Sequence, residues 1–371
     1  MIHIMIGTKG QLTKMAPIFK ELDNRNIEYN FIRTGQHTKI IDVLIEKYNL
    51  KQPDYAITKR EADLKNIFEC VIWMIKCLVL GFIHRKEMFK NDKGGIVLIH
   101  GDTESTLISA ILCKLSGMKV GHVEAGLRSF DIWNPFPEEL IRRITSYFSD
   151  YMFCPNQWSI DNLKKHKSEK INTYHNTVFD TVKLVLNKIP EIKPPKEKYV
   201  IFGIHRKESL YNNKNFKKLI LILLELSQHF KIIFIMHGNT KHKLKTTWTE
   251  DILPVCMVEK ILYNYLKVYN IEYKEYYDHI SFMHLVKNSE FVATDGGSLQ
   301  EETYMLNKPY LILRYKTERI EGLDETAYLS ELNMNKVEQF IQSYKNFTRK
   351  LSIDNVKPSK IIVDYLMGEL K

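Results

Sequence analysis

Cysteine is scarce in this chain and badly spaced for cross-linking. The five residues, Cys70, Cys77, Cys113, Cys154 and Cys256, are odd in number, far apart and mostly set in apolar runs, and no Cys-x-x-Cys pair occurs. That argues against a disulfide framework and against a zinc ribbon, and predicts reduced, buried thiols in a cytoplasmic protein. A membrane span is also missing. The most apolar segment is NIFECVIWMIKCLVLGFIHRKEMF, whose apolar residues span Ile67 to Ile83 but are interrupted by Glu69 and Lys76. A spanning helix wants about 20 apolar residues with few charges. The segment is therefore read as a buried or dimer-forming helix, with peripheral membrane contact as the alternative. The start, MIHIMIGTKG, lacks the basic head and small-residue cleavage site of a secretory signal. Neither a full Gly-x-Gly-x-x-Gly fingerprint nor a Walker loop is present, and no short repeat or low-complexity tract appears.

What is there is a core-forming chain with a basic surface. Its 371 residues suggest two or three domains at about 150 residues each, and its 44% hydrophobic content excludes a disordered class. Lys and Arg outnumber Asp and Glu by 54 to 44, a formal charge of +10. This favours anionic partners such as a nucleotide, a membrane surface or nucleic acid, but a Lys-rich solvated surface explains it equally. Short β-like runs alternate with helical patterns: IHIMI, YNFIRT, GIVLIH, KVGHVE and YMFCP, then YVIFGI, FKIIFIM, IEYKEY, EFVATDGG and PYLILR. Such alternation predicts an α/β fold with parallel sheets and right-handed crossovers. NKIPEIKPPKEKYV reads as a linker, so the pattern predicts two tandem Rossmann-like domains, 1–188 and 197–350, and a last helix within 351–371. Ligands of open parallel sheets sit beyond the carboxyl ends of the strands, so two such domains predict one cleft between them.

Several polar residues fall at such strand ends. Gly7-Thr8-Lys9-Gly10 follows the first strand, where backbone N–H groups and Lys9 or Lys14 suit an anion; an ordinary βα turn reads the same way. Asp102 and Glu124 close two runs expected to be neighbouring strands, and NPFPEELIRR adds Glu138, Glu139, Arg142 and Arg143. Glu138 and Arg142, four apart, share a helix face and could be a plain surface ion pair, while Asp102 could simply cap the next helix. Taken together, carboxylates and cations at strand exits point to acid–base chemistry. In the second half, His205, Arg206 and Glu208 follow a strand, as a proton donor, a diphosphate ligand or a turn. In ATDGGSLQEE, Gly296 and Gly297 let backbone approach a phosphate, Ser298 opens a helix, and Glu301 and Glu302 lie in its first turns.

In order, the stretches GTKGQLTKMAP, TGQH, HGDT, GHVEAGLRS, PFPEELIRR, HNTVFD, HRKES, TDGGSLQEE, NKPYLILR and TERIEG resemble the non-hydrolysing bacterial UDP-N-acetylglucosamine 2-epimerases over nearly the whole length. The resemblance implies the two-domain glycosyltransferase (GT-B) architecture, with the last helix crossing back to the first domain. It implies elimination of UDP across C1–C2 of a UDP-linked 2-acetamido sugar, a glycal intermediate, and re-addition after the proton returns to the other face. The product would be a ManNAc-type sugar nucleotide for surface polysaccharide. Carried over by motif, Asp102, Glu124 and Glu138 are the catalytic carboxylates, Arg142 orients them, and His205 helps the diphosphate leave. Lys9, Lys14 and Arg206 lie at the diphosphate side. Phe282 stacks on uracil, Gly296, Gly297 and Ser298 hold phosphate, Glu302 binds ribose and Arg319 helps clamp the diphosphate. Gln36 and His37 match a motif at which some members bind a second, activating UDP-sugar. The resemblance implies no metal and no redox cofactor, no nucleic-acid partner and a homodimer, to which the apolar helix could contribute the interface.

The first turn departs from the family's usual Gly-Thr-Arg-Pro-Glu, and Asp295-Gly296-Gly297-Ser298 stands where Asp-Ser-Gly-Gly is usual. A Lys at position 9 replaces a planar bidentate group by a point charge. Competing expectations are a hydrolysing epimerase that releases free sugar and UDP, a glycosyltransferase of the same architecture, and a non-catalytic UDP-sugar sensor. Retention of PEELIRR favours re-addition, and a sensor has no need of Asp102, Glu124, Glu138 and His205.

Overall fold

The computed structural model describes residues 1–58, 67–133, 136–236, 238–249, 268–275, 277–317, 319–349 and 355–370, with side chains at 67, 207, 208 and 245–249 also excluded. Cys256 and the Glu208 side chain therefore lie outside the described residues. Two units emerge: Met1–Thr181 with Asn355–Lys371, and Val182–Asp354.

The first unit holds a parallel sheet of β1 (Ile2–Ile6), β2 (Tyr29–Arg33), β3 (Tyr55–Ala56), β4 (Ile96–His100), β5 (Lys119–Val123), β6 (Tyr151–Cys154) and β7 (Glu169–Asn172), in the order β3-β2-β1-β4-β5-β6-β7. β1 and β4 are buried along their full length, as strands covered on both faces must be. Lys9–Asn24, Glu104–Leu115 and Pro358–Glu369 are helices, the last of them within the expected 351–371. Thr8 and Thr103 start the first two with capping boxes that reach Gln11 and Thr106. Ile67–Ile83 is one helix, as its pattern predicts. The last helix belongs to this unit. Its Asp364 accepts from Arg25 at 2.6 Å, its Ser359 N–H donates to Asp180 at 2.8 Å, and Glu369 accepts from Tyr151 at 2.6 Å.

The second unit holds β8 (Tyr199–Gly203), β9 (Lys231–Ile235), β10 (Ile271–Lys274), β11 (Val292–Thr294), β12 (Tyr310–Ile312) and β13 (Ala327–Leu329), all parallel, in the order β10-β9-β8-β11-β12-β13. Val200, Phe202, Phe234, Phe291 and Leu311 form its core with Phe216 and Leu223 from the helix Asn213–His229. Three strands, β3, β7 and β13, are absent from the sequence-based expectation. All three lie at sheet edges, are two to four residues long, and have half-exposed side chains. An edge strand pairs on one side only and needs no apolar run, so its composition need not mark it; β10, the fourth edge strand, was still legible in IEYKEY. Among the described residues no helix is long and apolar enough to cross a membrane.

Candidate active site

In the first unit the register sets the site. β4 and β5 pair in parallel with His100 opposite Val123, so Asp102 and Glu124 leave the sheet from adjacent strands at the same end. Gly101 and Glu124 both adopt positive φ, +70° and +66°. For a glutamate that conformation is strained by roughly 1–3 kcal/mol and persists only where the surroundings over-determine it. The surroundings are three donors or potential donors. Lys14 Nζ and Asn176 Nδ2 both donate to Glu124 Oε2, and His100 Nε2 lies 3.6 Å from the same oxygen. Lys14 and Glu124 are both buried, which makes the pair costly to break from one side only.

Asp102 has a different partner. The Arg142 guanidinium, on the helix Glu138–Phe148, meets its Oδ2 through Nε at 2.8 Å and Nη2 at 2.5 Å. Arg142 Nη1 also reaches Glu139 at 3.4 Å. The pairs that form are thus Arg142 with Asp102 and Glu139, where spacing alone suggested Glu138. Glu139 is fully buried and also accepts from the Ser129 N–H at 3.0 Å and from Arg143 at 3.0 Å, which ties the helix start to the segment after β5. Glu138 is left to another task. Its Oε2 is buried with no hydrogen-bond partner. Burial, helped by the charges of Asp102 and Glu104, pushes its carboxyl above the ordinary range. A carboxyl that holds its proton more tightly than usual, beside a salt-bridged one, suits acid and base roles on neighbouring groups.

The loop after β1 completes this end. Gly7 passes so close to its neighbours that a Cβ would fall 2.2 Å from Ser105 Oγ and from Thr34 Oγ1, so only glycine fits. Gln11 Oε1 accepts from the Gly7 and Thr8 N–H groups at 2.8 and 3.0 Å, while its Nε2 donates to the His100 carbonyl and Thr106 Oγ1, both at 2.9 Å. The Lys9 N–H donates to His37 Nδ1 at 3.2 Å, and Gln36 bridges Glu104 (2.8 Å) and the Ser105 N–H (3.2 Å). Lys9, Gln36 and His37 therefore gather at the start of the helix Glu104–Leu115. Two buried histidines back the site: burial drives both His100 and His122 down to about 4, so both are neutral at pH 7.

The second unit repeats the geometry. β8 and β11 are adjacent and parallel with Gly203 opposite Thr294, so His205 and Asp295 leave side by side. The fully buried Asp295 accepts the His205 and Arg206 N–H groups at 3.0–3.2 Å, and its Oδ1 lies 3.1 Å from His205 Nδ1. Burial alone would raise its pKa, but bonds from His205, Ser209 and the Arg206 N–H outweigh that and hold it below the ordinary carboxylate value. The His205 ring is thereby oriented, and its side chain is 45% exposed. Gly296 is required there: a Cβ would approach His205 Cε1 to 2.9 Å. Gly297 opens the helix Gly297–Met305 and no side chain caps it. Ser298 is exposed. Glu302 Oε1 lies 3.2 Å from His279 Nε2, on the helix His279–Asn288 that also carries the half-buried Phe282 one turn on. Arg319 is buried against Glu301 at 2.5 Å, and Gln300 Nε2 holds its carbonyl at 3.1 Å.

Sequence reasoning assigned no role to Asn176, His100, Asp295, His279 or Glu301. Asn176, His100 and Glu301 stand inside stretches that carry the resemblance, and Asp295 ends a recognised strand, so position marked all four; for His279 nothing local did.

A family model described as UDP-N-acetylglucosamine 2-epimerase matches residues 20–362. The chain is similar to the UDP-N-acetylglucosamine 2-epimerase of Methanococcus maripaludis, at 30% identity over 391 residues, covering 100% of this chain and 99% of the relative. Among solved structures it is similar to the UDP-GlcNAc 2-epimerase of Neisseria meningitidis bound to UDP-GlcNAc, with a TM-score of 0.79, 25% identity and 99% of both chains covered. It is also similar to the Methanocaldococcus jannaschii UDP-GlcNAc 2-epimerase in complex with UDP-GlcNAc and UDP, with a TM-score of 0.77, 26% identity and 99% of both chains covered. The two parallel-sheet α/β units are those of the GT-B-like fold of these structures.

Proposed function

The chain belongs to the UDP-N-acetylglucosamine 2-epimerase family, and from that premise we propose that it inverts C2 of a UDP-linked 2-acetamido sugar by eliminating UDP and adding it back. The C2 proton is not next to a carbonyl and is hardly acidic, so departure of the diphosphate must lead. The C1–O bond breaks with its electron pair on UDP, C2 loses its proton to a base, and the C1=C2 double bond forms. Re-addition reverses these steps with the proton delivered to the opposite face. Inversion thus needs two proton-transfer groups and a cationic hold on the leaving group.

The observation that carries this reading is the set at the exits of β4 and β5: Asp102 bound to Arg142, the protonation-prone Glu138 beside it, and Glu124 held by Lys14. Asp102 and Glu138 exchange the C2 proton, and Arg142 orients Asp102. Lys14 and Glu124 supply charge and position. His205, oriented by Asp295, protonates or hydrogen-bonds the departing diphosphate. Arg206, Lys9, Arg319 and the N–H groups at Gly296, Gly297 and Ser298 hold it, Phe282 stacks on uracil and Glu302 takes the ribose hydroxyls. A second UDP-sugar acts at Gln36 and His37 as an activator. The enzyme works in the cytoplasm as a homodimer and supplies surface polysaccharide synthesis.

The test is incubation with UDP-N-acetylglucosamine in D2O, read at C2 by NMR. Deuterium at C2 in a mixture of epimers still joined to UDP is the expected result. Free sugar would make the enzyme hydrolytic, and tight binding without exchange would end the proposal.

A further inference from the structure

The second unit carries a hollow that the proposed chemistry does not use. β12 and β13 run side by side, with Ile312 opposite Leu329. Between the segments that leave them and one face of the helix Asn213–His229 lies a space of about 600 Å³, the size of a small-molecule site. Leu221, Ile222, Leu332 and Met334 make its apolar side. Ile222 and Leu332 belong to the core behind it, while Leu221 stays 56% exposed. This floor is built rather than left over. Glu331 and Leu332 both have φ of +50°, which bulky side chains rarely adopt. The fully buried Ser330 holds that bend: its Oγ accepts the Leu332 N–H at 3.2 Å and donates to the Ile312 carbonyl at 2.7 Å.

The polar side is cationic. The Tyr315 hydroxyl donates to Asn215 Oδ1 at 3.3 Å and accepts from Lys218 Nζ at 3.2 Å, so ring and ammonium are fixed relative to each other. Lys316 lines the hollow beside them. Among the described residues neither Lys218 nor Lys316 meets a carboxylate. Glu331, the acid in the lining, is already 2.9 Å from Lys336 Nζ. Two unbalanced cations beside an apolar floor select an anion with an apolar body. The same wall leads towards Arg319. Thr317 Oγ1 donates to Gln300 Oε1 at 3.1 Å and accepts the Arg319 N–H at 3.2 Å, and the buried Gln300 donates to the Arg319 carbonyl at 3.1 Å. β8 connects to β9 in one direction and β11 to β12 in the other, so right-handed crossovers put the helices Asn213–His229 and Gly297–Met305 on opposite faces of the sheet. An anion that draws Lys316 towards Lys218 therefore draws Thr317 away from Gln300.

We propose that this hollow is an inhibitory site for a small amphipathic anion, a phosphate or carboxylate on an apolar body, which loosens Arg319 through Thr317 and weakens nucleotide binding. The inhibitory part rests on the reading of Arg319 as a diphosphate clamp; the site itself does not. The test is calorimetry on the full chain with naphthyl phosphate as the probe. Saturable binding is expected, at least about tenfold tighter than that of inorganic phosphate, because only the probe covers the apolar floor. Lys218→Ala and the exposed-site change Leu221→Glu should each weaken it at least about tenfold with unchanged circular dichroism. Added UDP should raise the probe's dissociation constant by about fivefold and then reach a plateau, as reciprocal coupling between two sites requires. Thr317→Val should keep the probe and abolish that shift. No saturable binding, or equal binding by the unaltered protein and both variants, would overturn the site. A rise without a plateau would mean competition at the nucleotide site and would overturn it too, and a probe indifferent to bound UDP would overturn the inhibitory role. Failure to bind UDP at all would strike the reading of Arg319, and the inhibitory role with it, while probe binding still reports on the hollow.

Discussion

At the scale of single residues, the site is a set of side chains whose neighbours decide their roles. Glu138 has a buried oxygen with nothing bound to it, beside the Asp102–Arg142 pair. Glu138→Gln keeps the shape and removes the titratable carboxyl. C2 exchange in D2O is expected to fall by roughly 10²–10⁴-fold, with UDP affinity by calorimetry nearly unchanged; exchange at the original rate would remove Glu138 from the chemistry. Asn176 is chemically inert yet donates to Glu124 Oε2. Asn176→Ala leaves Glu124 with one donor fewer at a strained φ, and kcat is expected to drop about tenfold at little change in KM, the loss expected for an interaction worth about 1.5 kcal/mol in the transition state. Gly296→Ala pushes a methyl into the His205 ring at a contact of 2.9 Å. The ring must turn, so activity should fall while the melting temperature moves little, and full activity would show that the orientation of His205 is not needed.

At the scale of elements, the helices begin where polar capping residues end a strand, and the same caps aim the site. Thr8 and Gln11 cap Lys9–Asn24, and Gln11 also ties that helix start to the His100 carbonyl at the end of β4. Gly10, in the first turn of this helix, has open space where a Cβ would stand, with no atom within 4 Å, and its φ is not positive. Gly10→Ala is therefore expected to stabilise the protein by about 0.5–1 kcal/mol through lost unfolded-state freedom, seen as a higher denaturant midpoint at unchanged slope. The long central strands were legible because burial on both faces demands apolar runs. The edge strands β3, β7 and β13 were not, because one-sided pairing makes no such demand. Ile67–Ile83 was legible as a helix, but its apolar composition did not reveal that Trp73 and Cys77 face the core while Ile75 faces out.

At the scale of the whole molecule, acid stability follows from the buried histidines. His100 and His122 titrate near 4 when folded against an ordinary value of 6.5, because burial disfavours their charged forms. The unfolded chain therefore binds more protons between these values. Stability contributed by each histidine is complete above pH 6.5 and is lost as pH falls towards 4, on the order of 3 kcal/mol apiece. Asp295, with its pKa held down, acts in the same direction at still lower pH, whereas Glu138, with its pKa raised, acts in the opposite sense. Melting temperature should thus fall steeply from pH 7 to pH 5, and His122→Asn should flatten the slope; a flat profile in the unaltered protein would mean that these imidazoles are not buried. The sequence by itself determined the alternating α/β pattern, the order of the motifs and the kinds of group at the strand ends, because each depends on residues close together in the chain. Only the tertiary structure decided who partners whom. Asn176 meets Glu124 across 52 positions, Arg142 meets Asp102 across 40 and His205 meets Asp295 across 90. Those meetings depend on which strands lie side by side and in what register, and long-range order of that kind leaves no local mark on composition or periodicity.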